Sequence, residues 1–157
     1  MRSRVLWIVV VAVAATISVA VVASAGASRS EMRYPIKVSL VEHAISDQEI
    51  DVGDTGFSNG DLLTFANPIF NASNTKRVGR DEGSCIVVNA TKVHYQCSWT
   101  TWFDDGSLTV EGPFFGDRET NLAITGGTGA FSTARGWMHL GFRADPAEFD
   151  FVFFIQH

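Results

Sequence analysis

The residue with the clearest chemical potential is a carboxylate in an apolar row. In the run Ile36-Lys37-Val38-Ser39-Leu40-Val41-Glu42-His43, alternation places Ile36, Val38, Leu40 and Glu42 on one face. That face is the buried one, so Glu42 points inward among aliphatics. A carboxylate there is costly unless paired or hydrogen-bonded, and its pKa must rise. The competing reading is a strand-end glutamate that escapes to solvent before Ser46-Asp47. Asn67 shares a face with Leu63 and Phe65 and is a second candidate polar group in an apolar pocket. Its alternative is a turn residue before Pro68. Arg135, on the face of Trp137 and His139, either points inward to neutralise Glu42 or is an exposed rim charge.

Other reactive constellations are missing from the sequence. His43, His94, His139 and His157 lack metal-ligand spacing, and there is no G-x-S-x-G motif or nucleophilic cysteine context. Gly126-Gly127-Thr128-Gly129 superficially looks like a phosphate loop, but no helix follows, so a β-turn is expected. Asp51-Val52-Gly53-Asp54 is too sparse for a calcium loop. No metal or cofactor is expected.

Aromatic residues supply the other half of a candidate pocket. If a hairpin turns at residue 91, Cys85 and Cys97 face each other across neighbouring strands, within bridging distance. Such a disulfide is worth about 3 kcal/mol in the chain-entropy model. The same register puts Tyr95, Cys97, Trp99, Thr101 and Phe103 on one face and His94, Gln96, Ser98, Thr100 and Trp102 on the other. The first face is a wall of rings.

The elements that must carry these residues are all β. Period-two runs cover residues 36–43, 61–67, 78–88, 93–103, 108–115, 122–125, 136–143 and 149–155. Turn chemistry separates them at 53–56, 71–74, 89–90, 104–106, 126–129 and 145–146. About eight short strands fit an antiparallel barrel or a sandwich. The last run, Phe149-Asp150-Phe151-Val152-Phe153-Phe154-Ile155, is apolar on nearly both faces. Subunit contact over its outer side is the expected explanation.

The chain has 157 residues, 12 basic and 17 acidic, for a net charge of −5. Arg2 and Arg4 precede an uncharged stretch from Val5 to Val22, and Ala23-Ser24-Ala25 has the form of a cleavage box. Residues 1–25 therefore read as an apolar signal helix, 26–34 as a linker and 35–157 as one domain. An uncleaved N-terminal anchor is the alternative, and the domain is exported in both cases. Cleavage leaves ten basic against seventeen acidic residues, net −7. That balance argues against nucleic acid or anionic lipid as partner. An oxidising, extracellular setting favours a disulfide between the two cysteines.

A resemblance adds to this reading. Gly53-Asp54, Leu63-Thr64-Phe65-Ala66-Asn67, Arg77-Val78-Gly79, the block 83–88, Leu108-Thr109-Val110-Glu111-Gly112-Pro113 and the block 123–131 are similar in order and spacing to plant allene oxide cyclases, over residues 36–155. Gly126-Gly127-Thr128-Gly129-Ala130-Phe131 with Ala134-Arg135-Gly136 looks more like the related dirigent proteins. The resemblance implies an all-β, eight-stranded antiparallel closed barrel with a central apolar cavity, commonly a homotrimer. In the cyclases, a cavity folds an unstable fatty-acid epoxide so that ring closure gives one enantiomer, while a glutamate and a held water stabilise developing charge. Glu42 falls at that glutamate, and Asn67 matches an asparagine that helps hold the water.

The chain also departs from that pattern. Ala44 replaces a second water-holding asparagine, Phe114 a pocket tyrosine, and Tyr95 a pocket phenylalanine. Cys85 matches a family cysteine. Arg135 matches the pocket arginine of dirigent proteins, but Ala130 stands where many of them carry aspartate. The expected site is then Glu42 and Asn67 as catalytic residues, with Phe65, Tyr95, Trp99, Phe114 and Arg135 against a small apolar ligand. The expected function is a secreted cyclase-type barrel that steers ring closure of that ligand. A non-catalytic dirigent- or lipocalin-like binder is the second reading, and a barrel filled by its own rings the third.

Overall fold

A computed structural model describes residues 35–156. The signal and linker expectations at 1–34 lie outside the described residues. The strands are β1 (Ile36–His43), β2 (Gln48–Ile50), β3 (Leu62–Asn71), β4 (Arg77–Asn89), β5 (His94–Phe103), β6 (Gly106–Phe115), β7 (Thr120–Gly129), β8 (Arg135–Phe142) and β9 (Glu148–Gln156). All pairings are antiparallel, in the order β1-β9-β8-β7-β6-β5-β4-β3, and β1 closes on β3 through Leu40, Val41 and Glu42 opposite Asn71, Phe70 and Ile69. Eight strands thus form a closed barrel, and the three-residue β2 lies outside the ring on β3. Closure gives each strand one inward face, with only three residue pairs joining β1 to β3.

The expected hairpin register holds. Cys85 pairs with Cys97, and the chain reverses through a single 3-10 turn at Ala90–Lys92 that Asn89 caps. A bulge after Val87 absorbs the odd residue. Val93 leaves that turn in the left-handed region, at φ 52°, which a β-branched residue rarely adopts.

Lateral neighbours stack the interior in rows. Asn67, Asp81, Thr101 and Leu108 form one, on β3, β4, β5 and β6. Phe65, Gly83, Trp99 and Val110 form the next, and Leu63, Cys85, Cys97 and Gly112 the third. Gly83 is where it is because Trp99 is beside it: a Cβ there would collide with the Trp99 Cβ and come within 2.6 Å of the Ser98 carbonyl. Phe151, Phe153 and Ile155 of β9 and Met138 and Leu140 of β8 complete the core.

Two local expectations need correction. Asn67-Pro68 is not a turn; β3 runs straight through it to Asn71. Pro68 is tolerated because it sits between the part of β3 paired to β2 and the part paired to β1, where that edge has no strand. Gly126-Gly127-Thr128-Gly129 belongs to β7 and pairs with β6 beside a bulge, rather than forming a free turn. On the outer face of β9, Val152 and Phe154 stay half-buried, and Phe154 stacks on exposed Trp137 at 4.9 Å.

Candidate functional site

Glu42 is placed on the inward face of β1 and is 6% exposed; Asn67, on the inward face of β3, is 1% exposed. The Asn67 amide nitrogen donates to Glu42 Oε1 at 2.8 Å and to Asp47 Oδ1 at 2.7 Å. Its oxygen accepts from the backbone N–H groups of Ile45 and Ser46 at 3.1 and 3.0 Å, and from the Ser46 hydroxyl at 3.0 Å. Those donors and acceptors leave only one orientation for the amide. The 44–47 connection is thereby fastened to β3, with the Ser46 hydroxyl also bonding both backbone groups of Ala66. One side chain thus orients the Glu42 carboxyl and builds the rim beside it.

Asp81 is the residue that the sequence reading missed. It is fully buried, opposite Asn67 in the β3–β4 register, and its Oδ1 accepts the Asn67 backbone N–H at 3.2 Å. Asp81 Oδ2 is buried without a hydrogen-bond partner among the described residues, and a proton on one of the two neighbouring carboxyls is what would join it to Glu42. Burial, then the Asp81 charge, pushes Glu42 well above the usual carboxylate range. Burial likewise raises Asp81, to about 7, against the hydrogen bond that a proton on Glu42 would give it. Both shifts run in the same direction, so the pair retains a proton into the neutral range. The signal for Asp81 was present in the sequence: Cys85 faces inward, and counting back by two through Gly83 reaches Asp81.

Glu42 opens on a cavity of about 70 Å³ whose wall also includes Asp47, Phe65, the Cys85–Cys97 disulfide, Trp99 and Phe114. Phe149, Phe151, Leu63 and Leu140 complete it. The Trp99 ring makes an edge contact with Phe65 at 5.9 Å and lies 5.6 Å from Phe151. Its Nε1–H is buried without a hydrogen-bond partner among the described residues, as is the Thr101 hydroxyl. Half-buried Phe114 and Phe149 contact each other and exposed Phe142 at one end of the cavity. The free space is well below the roughly 300 Å³ at which small-molecule sites begin.

The other expected residues fall on either side of this cavity. Tyr95 is buried and touches Phe114 at 5.7 Å, but it faces a neighbouring pocket. Arg135 takes the exposed placement of the two open to it: its guanidinium donates to the Ala134 carbonyl at 2.7 Å, on the outward face shared with Trp137. It is not among the residues around Glu42.

Comparison with known proteins agrees with this architecture. The family model for allene oxide cyclase matches residues 41–157, and the chain belongs to that family. Among solved structures it is similar to a pyocyanin demethylase, with 23% identity, 77% of this chain and all of that chain covered, and a TM-score of 0.67. It is similar to a pterocarpan synthase dirigent protein at 20% identity, covering 81% and 98%, TM-score 0.63. A Diels-Alderase from Streptomyces koyangensis aligns at 14% identity, covering 78% and 69%, TM-score 0.57. At these identities the structures share the fold.

Proposed function

We propose that the barrel binds a small apolar molecule beside Glu42 and steers its cyclisation. The observation that carries this reading is the buried Glu42 carboxyl, bonded by Asn67 and beside Asp81, at the polar end of a cavity walled largely by rings. In this reading the Glu42 O–H turns from Asp81 to a substrate oxygen as negative charge develops there, while the aromatic faces stabilise positive charge on the carbon skeleton. The reaction is an isomerisation: for an allene oxide, the epoxide C–O bond opens, a C–C bond closes the ring, and no atom enters or leaves. The wall fixes which face closes, and such positioning is worth several kcal/mol in a unimolecular closure. The comparisons support the reading by family membership and by neighbours named for pterocarpan synthesis and Diels-Alder chemistry.

The test is the rate and enantiomeric ratio of cyclisation of an allene oxide generated in solution, with wild type and Glu42→Gln. Loss of both rate enhancement and enantiomeric bias in the variant supports the reading. A variant that cyclises as fast and as selectively as wild type leaves templating or simple binding as the function. We also propose export, on the residue 1–25 pattern and the disulfide, to be checked by the N-terminal sequence of the protein outside the cell. Self-association over the Trp137–Phe154 face, as the trimer that the resemblance implies, is to be checked by native mass spectrometry.

A further inference from the structure

A second pocket, of about 250 Å³, lies beside the cavity on the other side of the Tyr95–Phe114 contact. Glu49, Ile50, Asp51 and Phe57 form its solvent side, and Asp61, Val87 and Tyr95 its inner wall. The Phe57 and Tyr95 rings meet at 6.0 Å. The loop that carries Phe57 is tied in place: Asp61 accepts the N–H groups of Val52 and Ser58 at 2.9 and 2.6 Å, and Asp51 accepts that of Gly56 at 2.9 Å.

Charge and hydrogen bonding in this pocket point one way. The linings of the pocket and of the cavity together contain five carboxyl side chains, Glu42, Asp47, Glu49, Asp51 and Asp61, and no lysine, arginine or histidine. Tyr95 is 7% exposed, faces the pocket, and its hydroxyl makes no hydrogen bond among the described residues. The Glu49 and Asp61 charges, after burial, hold that phenol neutral by raising its pKa. An aromatic pair under a negative field, with an unclaimed hydroxyl oxygen, suits one group: an ammonium with N–H to donate.

We propose that this pocket is a binding site for a small organic ammonium group attached to an apolar body. The ammonium donates to the Tyr95 hydroxyl, lies against the Phe57 ring, and is attracted by Glu49, Asp51 and Asp61. A carboxylate finds no partner here and is repelled. The site goes beyond the ring-closure reading, because binding is measured without turnover. Failure of either leaves the other standing.

The test uses three probes of similar shape and different charge: phenethylammonium, phenethyl alcohol and 3-phenylpropanoate. Each is titrated into the isotopically labelled chain and followed by amide chemical shifts. The expected result is saturable binding of phenethylammonium with shifts centred on Ile50, Asp51, Phe57 and Leu62. The alcohol binds about tenfold more weakly and the acid not at all. Glu49→Gln with Asp51→Asn weakens the cation about tenfold, and added salt weakens it in wild type. Tyr95→Phe, which keeps the ring, weakens phenethylammonium but leaves benzyltrimethylammonium, which has no N–H, bound as before. Equal binding of the acid, an unchanged affinity in the charge variant, or shifts centred elsewhere would each overturn the assignment.

Discussion

Raising the pH withdraws protons from a buried pair that the unfolded chain has already given up. Glu42 and Asp81 bind protons more tightly in the native state than when unfolded. Native stability from this pair is therefore full only below the unfolded pKa values of 3.8 and 4.5, and it is lost as the pH rises from there through the native values. Each tenfold change in acidity is worth about 1.4 kcal/mol. Carrying Asp81 from 3.8 to about 7 thus makes roughly 4 kcal/mol the ceiling on what it removes between pH 4 and pH 8. Asp61 and Glu148 act with opposite sign. Their carboxylates are held below the usual range by backbone N–H groups in one case and by Asn74 and Arg143 in the other, so their contributions disappear only in stronger acid. Urea unfolding followed by tryptophan fluorescence should give its highest stability near pH 4 and a decline toward pH 8. Asp81→Asn keeps a hydrogen-bonding group beside Glu42 and removes the charge, so it should flatten that decline. A stability that is level or rising from pH 5 to pH 8, or a decline unchanged in Asp81→Asn, would refute the shared-proton pair.

Three further outcomes follow from particular contacts. Gly83→Ala drives a methyl into Trp99 and should cost about 1–3 kcal/mol in the same unfolding assay, with a changed native fluorescence spectrum. Replacing Cys85 and Cys97 together by alanine should remove about 3 kcal/mol, read as a lower urea midpoint, since the bridge closes a loop with a sequence separation of 12. Val93→Asn relieves a β-branched residue at φ 52° and should raise stability by about 1 kcal/mol, seen as an increase in Tm.

What was legible in the sequence was whatever alternation controls. Leu40 and Glu42 inward on β1, the ring wall of β5 and the cysteine register all follow from a period of two and one turn position. Period alone failed where a neighbour decides the outcome. Pro68 reads as a strand stop, yet the gap between β1 and β2 on the β3 edge lets it pass. Arg135 shares a face with the large ring of Trp137, and in this barrel that ring is stacked on the outside against Phe154. Asp81 sits between two other charges, in Arg80-Asp81-Glu82, so its local sequence does not mark it as buried. Only its strand partners, Asn67 and Thr101, turn it into a buried acid. Strand β2, with three exposed residues, has no pattern to detect.

Occupation of the barrel by an apolar molecule beside Glu42 is what the proposed function requires. Its most direct test is the position of a neutral apolar ligand, N-phenyl-1-naphthylamine, fixed by intermolecular NOEs to the chain. The account predicts NOEs to the rings of Phe65, Trp99 and Phe151, together with displacement of Phe114 or Phe149 at the cavity mouth. NOEs confined to the outer face around Trp137 and Phe154, with the interior rings unperturbed, would contradict it.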